Sequence, residues 1–313
     1  MGNLIFSLNA TLPVFLLMVI GMILKKLKVI DESFAKAMNR FVFTFPLPIL
    51  LFKDLSTVDF RVARDFKFVL FCFIVTIFSI VLAIIISYFM DKESQGEFIQ
   101  SSYRSSAALL GVALINNIYG QSVVGPLMII GSVPLYNIIA VIVLSFFKPD
   151  TKTIDKTLLI KTLKGIITNP IIIGIIVGLL WSWLQIPIPV IMEKTINSIS
   201  STASPLGLIA MGASFNMEDA VGQIKPAMIA SFMKLFGFVM LFLPVAILLG
   251  FVKEQLVAIL IMLGSASTVT CFVMAKNMGH KGILSANVVM ITTLLSGFSI
   301  TFWLFFLKTF QYI

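Results

Sequence analysis

The sequence has little charge, two cysteines and one histidine, and each shortage excludes a class of protein. Charged residues make up 12% of the 313 residues, whereas soluble domains contain roughly 25%. Cys72 and Cys271 lie far apart inside apolar runs, so we expect buried free thiols. Because His280 is the only histidine, no group of side chains predicts a metal site.

Acidic residues are missing from the middle of the apolar runs. All fourteen Asp and Glu residues fall in loops or near the ends of runs. Carriers coupled to protons or sodium often use buried carboxylates, so this distribution argues against an Asp-based ion site. The sequence contains no nucleotide-binding loop, so we do not expect an ATP-driven pump. No span holds a nucleophile with a base, so neither a membrane-embedded enzyme nor a cofactor is expected.

Long apolar runs recur along the whole chain, which is 59% hydrophobic with a mean hydropathy of +1.06. Crossing a membrane takes about 20 such residues in a helix. The runs predict an all-α polytopic membrane protein with ten transmembrane helices, at about 4–24, 36–52, 67–89, 98–118, 122–147, 162–184, 190–214, 226–250, 254–276 and 283–308. No basic segment precedes the first run, so we expect it to be retained.

The net charge of +9 comes from Lys and Arg residues in short loops beside the spans. Cytoplasmic loops carry the excess of Lys and Arg. Their distribution predicts a multi-pass protein of the cell membrane with both termini outside. We interpret these residues as partners of lipid headgroups and not of nucleic acid.

The two halves of the chain repeat one pattern. The spacing P-x7-G-x26-P begins at Pro13 and again at Pro170, and it ends at Pro48 and Pro205. The longest polar connection separates the halves, which gives three segments: a first five-helix repeat at 1–147, a cytoplasmic connecting loop at 148–161 and a second repeat at 162–313. Because five is odd, the repeats are predicted to be inverted relative to each other, a common transporter architecture.

Spans four and nine occupy matching places and are unusually rich in small and polar residues. They read SSYRSSAALLGVALINNIYG and AILIMLGSASTVTCFVMAKNMG, with Gly111 and Gly264 near mid-span. Paired interrupted helices indicate the central site of a transporter, and free N–H groups at half-helix N-termini favour anions. Small residues also serve close helix packing, so both interpretations stay open.

The candidate binding residues lie in or beside these spans. Those predicted to contact substrate are Ser105, Ser106, Gly111, Asn116, Asn117, Asn137, Ser267, Thr268 and Lys234. Asn137 lies inside span five, where an amide is costly in lipid unless paired. Lys234 lies deep in span eight and either supplies a fixed positive charge or snorkels. The two adjacent asparagines either cap a helix or face the cavity. Pro48, Pro205 and Gly264 are predicted scaffold residues.

Five stretches have a specific order and spacing: GMILKKLKVIDESFAKAMNRFVFTFPLPILLF, VPLYNIIAVIVL, TNPIIIGIIVGLL, ASPLGLIAMGASF and SANVVMITTLLSGFSITFWLFFL. They resemble the auxin efflux carrier family and its bacterial members over most of the chain. The resemblance implies a ten-helix, inverted-repeat fold in which broken spans four and nine cross over the substrate. It also implies export of carboxylates: auxin in plants, and dicarboxylates such as malate or malonate in some bacterial relatives. Plant members look like homodimers, so the resemblance implies a homodimer here too.

The chain departs from the family pattern at the crossover. Arg104 and Gly111 match the family's Arg and Gly, but Ser106 replaces an Asn and Ala113 replaces a Pro. Ser267 stands where span nine usually has a proline. Glycine and serine still permit a helix break.

Taken as a whole, the sequence predicts a secondary transporter that exports small organic anions such as carboxylates or auxin-like acids. Substrate would sit at the crossover of spans four and nine, access would alternate, and no coupling ion is evident. The alternative is a membrane sensor or receptor that kept the fold but lost transport. A channel would differ from both by an unsaturable flux.

Overall fold

The computed structural model describes residues 2–56, 65–107, 112–119, 124–148 and 164–313, with side chains for all of these except 2–11, 113, 117 and 217. Within these ranges the chain is helical and contains no strand. The helices of the first half are α1 (Gly2–Lys26), α2 (Glu32–Thr44), α3 (Pro46–Ser56), α4 (Phe66–Ser87), α5 (Lys92–Tyr103), α6 (Val112–Tyr119) and α7 (Val124–Phe146).

The second half has a similar series of helices. They are α8 (Pro170–Leu184), α9 (Val190–Ser201), α10 (Ala203–Ser214), α11 (Met217–Gly222), α12 (Ile224–Phe232), a π-helix (Met233–Gly237), α13 (Phe238–Leu248), α14 (Glu254–Gly264), α15 (Thr270–Asn277) and α16 (Ile283–Thr309). Each predicted apolar run therefore contains helix, with interruptions inside several runs.

Several of these helices have the length and outward-facing side chains of membrane spans. Four in the described part of the chain are long and apolar enough to cross a membrane: Phe66–Ser87, Val124–Phe146, Ile224–Leu248 and Ile283–Thr309. On α4, Phe78 and Ile85 are 55% and 51% exposed. Large apolar side chains facing outward along a helix need lipid around them. The chain is therefore a membrane protein.

Four of the predicted spans are divided. Spans four and nine are interrupted as predicted, at Arg104–Ser106 and at residues 265–269. Spans two and seven have breaks that were not predicted, at Phe45 and Thr202. Proline explains both breaks, because Pro46 restricts Phe45 and Pro205 lacks the N–H that would continue the helix.

Glycines set the closest helix crossings. A Cβ on Gly178 of α8 would lie 2.9 Å from the Phe52 carbonyl oxygen of α3, and one on Gly21 of α1 would collide with the Ile209 carbonyl of α10. The interval of 157 residues that separates Gly21 from Gly178 also separates Phe52 from Ile209. The two crossings therefore use equivalent positions of the two halves. In one crossing the first half supplies the glycine and the second half the carbonyl, and in the other crossing the reverse holds.

Candidate functional site

The two interrupted stretches are hydrogen-bonded to each other. The backbone N–H of Ser106 donates to the Ala266 carbonyl at 3.0 Å. The Ser267 hydroxyl donates to the Ser101 carbonyl at 3.2 Å, and the Ser267 N–H donates to the Thr292 hydroxyl at 3.0 Å. Polar backbone freed by the breaks is thus satisfied by protein, which is the condition for irregular backbone at membrane depth. Ser267, which is only 3% exposed, serves this role.

A cavity of about 50 Å³ lies where the two breaks meet; we name it the crossover cavity. Leucines of α3 form its apolar wall, namely Leu47, Leu50 and Leu51. Its polar lining consists of Asp54, Arg104, Ser105, Ser106, Tyr136, Asn137, Ser204, Thr268 and Thr270. The structure therefore brings four predicted substrate contacts together: Ser105, Ser106, Asn137 and Thr268.

Arg104 is the principal positive charge of the crossover cavity, and only 2% of it is exposed. Its Nη2 donates to Asn137 Oδ1 at 2.7 Å. Its Nη1 lies 2.9 Å from Met274 Sδ, a weak acceptor, and 3.4 Å from Gln100 Oε1. Its Nε is buried without a hydrogen-bond partner. Within the described ranges Arg104 forms no ion pair, although Asp54 belongs to the same lining. A guanidinium with a spare donor and no ion pair is suited to bind an anion.

A helix N-terminus adds to this positive character. Thr270 begins α15, and both Thr268 and Thr270 line the crossover cavity with hydroxyls 3.1 Å apart. The first N–H groups of a helix have no partner within it and carry a partial positive charge. Here those of Thr270 and Cys271 donate to the hydroxyl and carbonyl oxygens of Thr268. The cavity therefore joins a guanidinium, a helix N-terminus and several hydroxyl groups, and this set is able to hold a carboxylate.

Other predicted contacts lie away from the crossover cavity. Lys234 is fully buried, but its Nζ donates to the Tyr103 and Met262 carbonyls, at 3.2 Å each. Asn116 is exposed on α6. Gly111 falls outside the described residues, and Asn117 lies within α6 with its side chain undescribed.

The predicted scaffold residues lie at helix contacts. A Cβ on Gly264 would come 2.8 Å from Val239 Cγ2, so this glycine lets α14 pack closely on α13. The backbone of Pro48 packs against Gly174 of α8. Pro205 follows Ser204, which lines the crossover cavity.

Five polar residues of the cavity were not among the predicted contacts: Asp54, Arg104, Tyr136, Ser204 and Thr270. Arg104 was counted with the loop cations, although its match to the family pattern offered a signal. Asp54 lies beyond the predicted end of span two at residue 52, whereas α3 continues to Ser56 and carries Asp54 along the cavity. Asp54 therefore lies near the end of its helix, as expected of the acidic residues, and yet reaches the cavity. The phenol of Tyr136 accepts from Ser105 at 3.4 Å and offered no sequence signal.

A larger cavity of about 420 Å³ lies at a basic end of the molecule; we name it the vestibule. Its charged lining consists of Lys25, Lys36, Lys276, Lys281, Glu32 and Asp219. Ion pairs join Lys36 to Glu32 at 2.9 Å and Lys281 to Glu93 at 2.6 Å. The hydrogen bond that Lys281 donates to the Glu93 carboxylate raises the pKa of Lys281. Because lysines outnumber carboxylates in the lining, the vestibule attracts anions.

The two cavities lie along the same helix. Ser204 at the start of α10 lines the crossover cavity, and Ser214 at its end lines the vestibule. Ten residues of α-helix rise about 15 Å. Between these points a Cβ on Gly207 would lie 3.2 Å from Val273 Cγ2 and 3.4 Å from Val269 Cγ2. Close packing of α10 on α15 therefore lies between the cavities.

Nearly all of this chain matches a known protein family. A family model described as membrane transport protein matches residues 6–304. The match includes both interrupted stretches and every residue that lines the crossover cavity. No curated protein matches the chain.

Proposed function

Because the chain belongs to the auxin efflux carrier family of membrane transport proteins, we propose that it is a secondary carrier that exports small organic anions. Arg104 carries this proposal. Its guanidinium is buried in the crossover cavity, and its Nε has no partner. A carboxylate that accepted from this group would replace the water that the guanidinium has lost.

The neighbouring residues receive distinct roles in this proposal. Asn137 holds the guanidinium through the 2.7 Å hydrogen bond to Nη2. The hydroxyls of Ser105, Ser106 and Thr268 bind the second carboxylate oxygen or another polar group of the substrate. Neither Lys234 nor Ser267 touches substrate, because each is bonded to carbonyl groups of the crossing helices.

We further propose ten spans in two inverted repeats, with both termini outside the cell membrane. The exchanged pair of glycine crossings, Gly21 on Ile209 and Gly178 on Phe52, supports a twofold relation between the halves. The hydrogen bond between Ser106 and Ala266 supports a crossing of interrupted spans four and nine.

Alternating access is part of the proposal because the crossover cavity is too small for the substrate as it stands. Its volume of about 50 Å³ accommodates a few waters, while ligand pockets usually begin near ~300 Å³. The vestibule, at about 420 Å³, reaches that size. Movement of α10 away from α15 at Gly207 would join the two, and closure would separate them again.

The experiment that tests the proposal is charge movement in proteoliposomes on a solid-supported membrane. The panel contains malonate, malate, auxin and neutral amide analogues of each. We expect a saturable signal from at least one anion, none from its amide analogue, and loss of the signal in Arg104→Gln. Arg40→Gln removes an exposed arginine of α2 and serves as the matched control. An anion signal that survives Arg104→Gln unchanged contradicts the proposed site.

A further inference from the structure

Two helix ends converge on one ammonium group, that of Lys234. Tyr103 is the last residue of α5 and Met262 lies in the last turn of α14. The Lys234 Nζ donates to both carbonyl oxygens, at 3.2 Å each, and the side chain is fully buried. The last carbonyls of a helix lack partners within it and carry partial negative charge. The ammonium therefore neutralises the C-terminal ends of both interrupted spans.

Within the described part of the chain, no carboxylate forms an ion pair with Lys234. The ion pairs there involve Lys36 and Lys281, both exposed. The buried carboxylate of Glu97 accepts from the N–H groups of Gly282 and Ser285, at 2.7 and 2.9 Å, and so caps α16. Tyr136 donates its hydroxyl to Met262 at 3.2 Å and adds no charge. Lys234 is thus held by backbone carbonyls, as a bound metal cation would be.

Carbonyl groups at the ends of interrupted helices are the ligands with which many carriers bind sodium. We propose that the Lys234 ammonium permanently occupies a monovalent-cation site at the crossing of the two interrupted spans. A tethered cation relieves the protein of any need for Na⁺. The consequence for transport rests on the proposed function, whereas the cation site is a property of the folded protein alone.

The helix that carries Lys234 changes its geometry at this residue. Met233–Gly237 forms a π-helix within an otherwise α-helical segment. A π-turn leaves carbonyl groups without their usual partners and is frequent at functional sites. Trp303 donates its indole N–H to the Leu235 carbonyl at 3.1 Å. This hydrogen bond from α16 stabilises the π-turn. The π-turn sets the direction in which the Lys234 side chain leaves its helix toward the crossing.

The test is thermal unfolding of the purified full chain in detergent, with NaCl titrated against choline chloride at constant ionic strength. Cys72 and Cys271 are free and buried, so a thiol-reactive dye reports unfolding. The wild type is expected to have the same Tm in both salts. Lys234→Ser, which removes the ammonium and leaves room for an ion, is expected to melt several degrees lower in choline. Na⁺ is expected to restore its Tm saturably.

Three further variants distinguish the effect of the charge at residue 234 from the effects of side-chain volume and of losing a lysine elsewhere. Lys234→Arg keeps a cation and is expected to remain insensitive to Na⁺. Lys234→Met fills the space without charge and is expected to melt low in both salts. Lys194→Ser removes an exposed lysine of α9 and should behave as the wild type.

Saturable stabilisation of the wild type by Na⁺ would overturn the inference. So would a Lys234→Ser protein that melts equally in both salts, or one that folds in neither, because Na⁺ would then fail to replace the ammonium. These melts need no substrate. A wild type without any anion flux defeats the proposed function only, and a Na⁺-dependent flux defeats this inference only.

Discussion

Arg104 and Asn137 form the pair of residues on which the proposed site depends most. Among the described residues, the amide oxygen of Asn137 is the one strong acceptor that the guanidinium contacts, at 2.7 Å. Its other contacts there are a thioether and a longer bond to Gln100. A neutral acceptor orients the guanidinium without cancelling its charge. Asp54 lines the same cavity but forms no ion pair with Arg104, so the guanidinium keeps its donors for the substrate.

Asn137→Asp should inhibit binding while leaving the fold intact. The substitution is nearly isosteric and places a carboxylate beside Nη2, where it competes with a substrate carboxylate. We expect an apparent anion affinity at least about tenfold weaker, equivalent to ~1.4 kcal/mol, with a Tm equal to or above that of the wild type. Charge-movement titrations and dye melts measure the two effects.

Asn137→Ala provides the comparison, because it removes the hydrogen bond without adding charge. It should lower the Tm and weaken binding less than Asn137→Asp. Wild-type affinity in Asn137→Asp would show that the substrate does not contact Arg104.

Single residues also mark how far sequence reasoning reached. Polar residues at mid-span mark the stretches that interrupt spans four and nine, and Ser105, Ser106, Asn137 and Thr268 line the cavity between them. Composition does not reveal the direction of a side chain. Ser267 and Lys234 instead bond to backbone groups, and Asn116 faces outward. Asp54 was missed because hydropathy places the end of a helix where the apolar residues stop, although polar residues can continue the helix.

At the scale of helices, close crossings depend on glycine at matched positions. Gly178 packs α8 on α3, where the nearest neighbours of a Cβ are the Phe52 carbonyl oxygen at 2.9 Å and Leu55 Cβ at 3.1 Å. Backbone cannot shift as cheaply as a flexible side chain. The crossing therefore tolerates no larger residue without moving one helix.

Gly178→Ala should destabilise the protein by about 1–3 kcal/mol, since overpacking forces backbone shifts. Gly222→Ala is the matched control, because a Cβ there meets nothing within 4 Å. Dye melts of both variants in detergent measure the difference. Equal Tm values for the two variants would show that α8 and α3 are not in this close contact.

Element boundaries were predictable to the extent that they follow hydropathy. Helices such as α4, α7 and α16 coincide with long apolar runs and were found with few errors. Interruptions in spans four and nine were predicted because small and polar residues recur there. The breaks at Phe45 and Thr202 went unnoticed because a proline at the start of a helix resembles one inside it in sequence.

At the scale of the whole molecule, charge is distributed along a path. Four lysines line the vestibule, and Arg104 lines the crossover cavity at the other end of α10. Lys234 donates to carbonyls at the ends of the helices that precede the two interruptions. Such an arrangement attracts an anion at the mouth and retains it at the centre. The excess of Lys and Arg was visible in the sequence, whereas the cavities arise only from folding.

Counterflow in proteoliposomes tests the central claim most directly, because it requires a single site that alternates between two sides. Vesicles are preloaded with unlabelled malonate, malate or auxin and diluted into a trace of the same labelled anion. The account predicts a transient accumulation above equilibrium for at least one anion, absent in Arg104→Gln and present in Arg40→Gln. A flux that rises linearly with concentration and never overshoots, or no flux of any anion by folded protein, would contradict it.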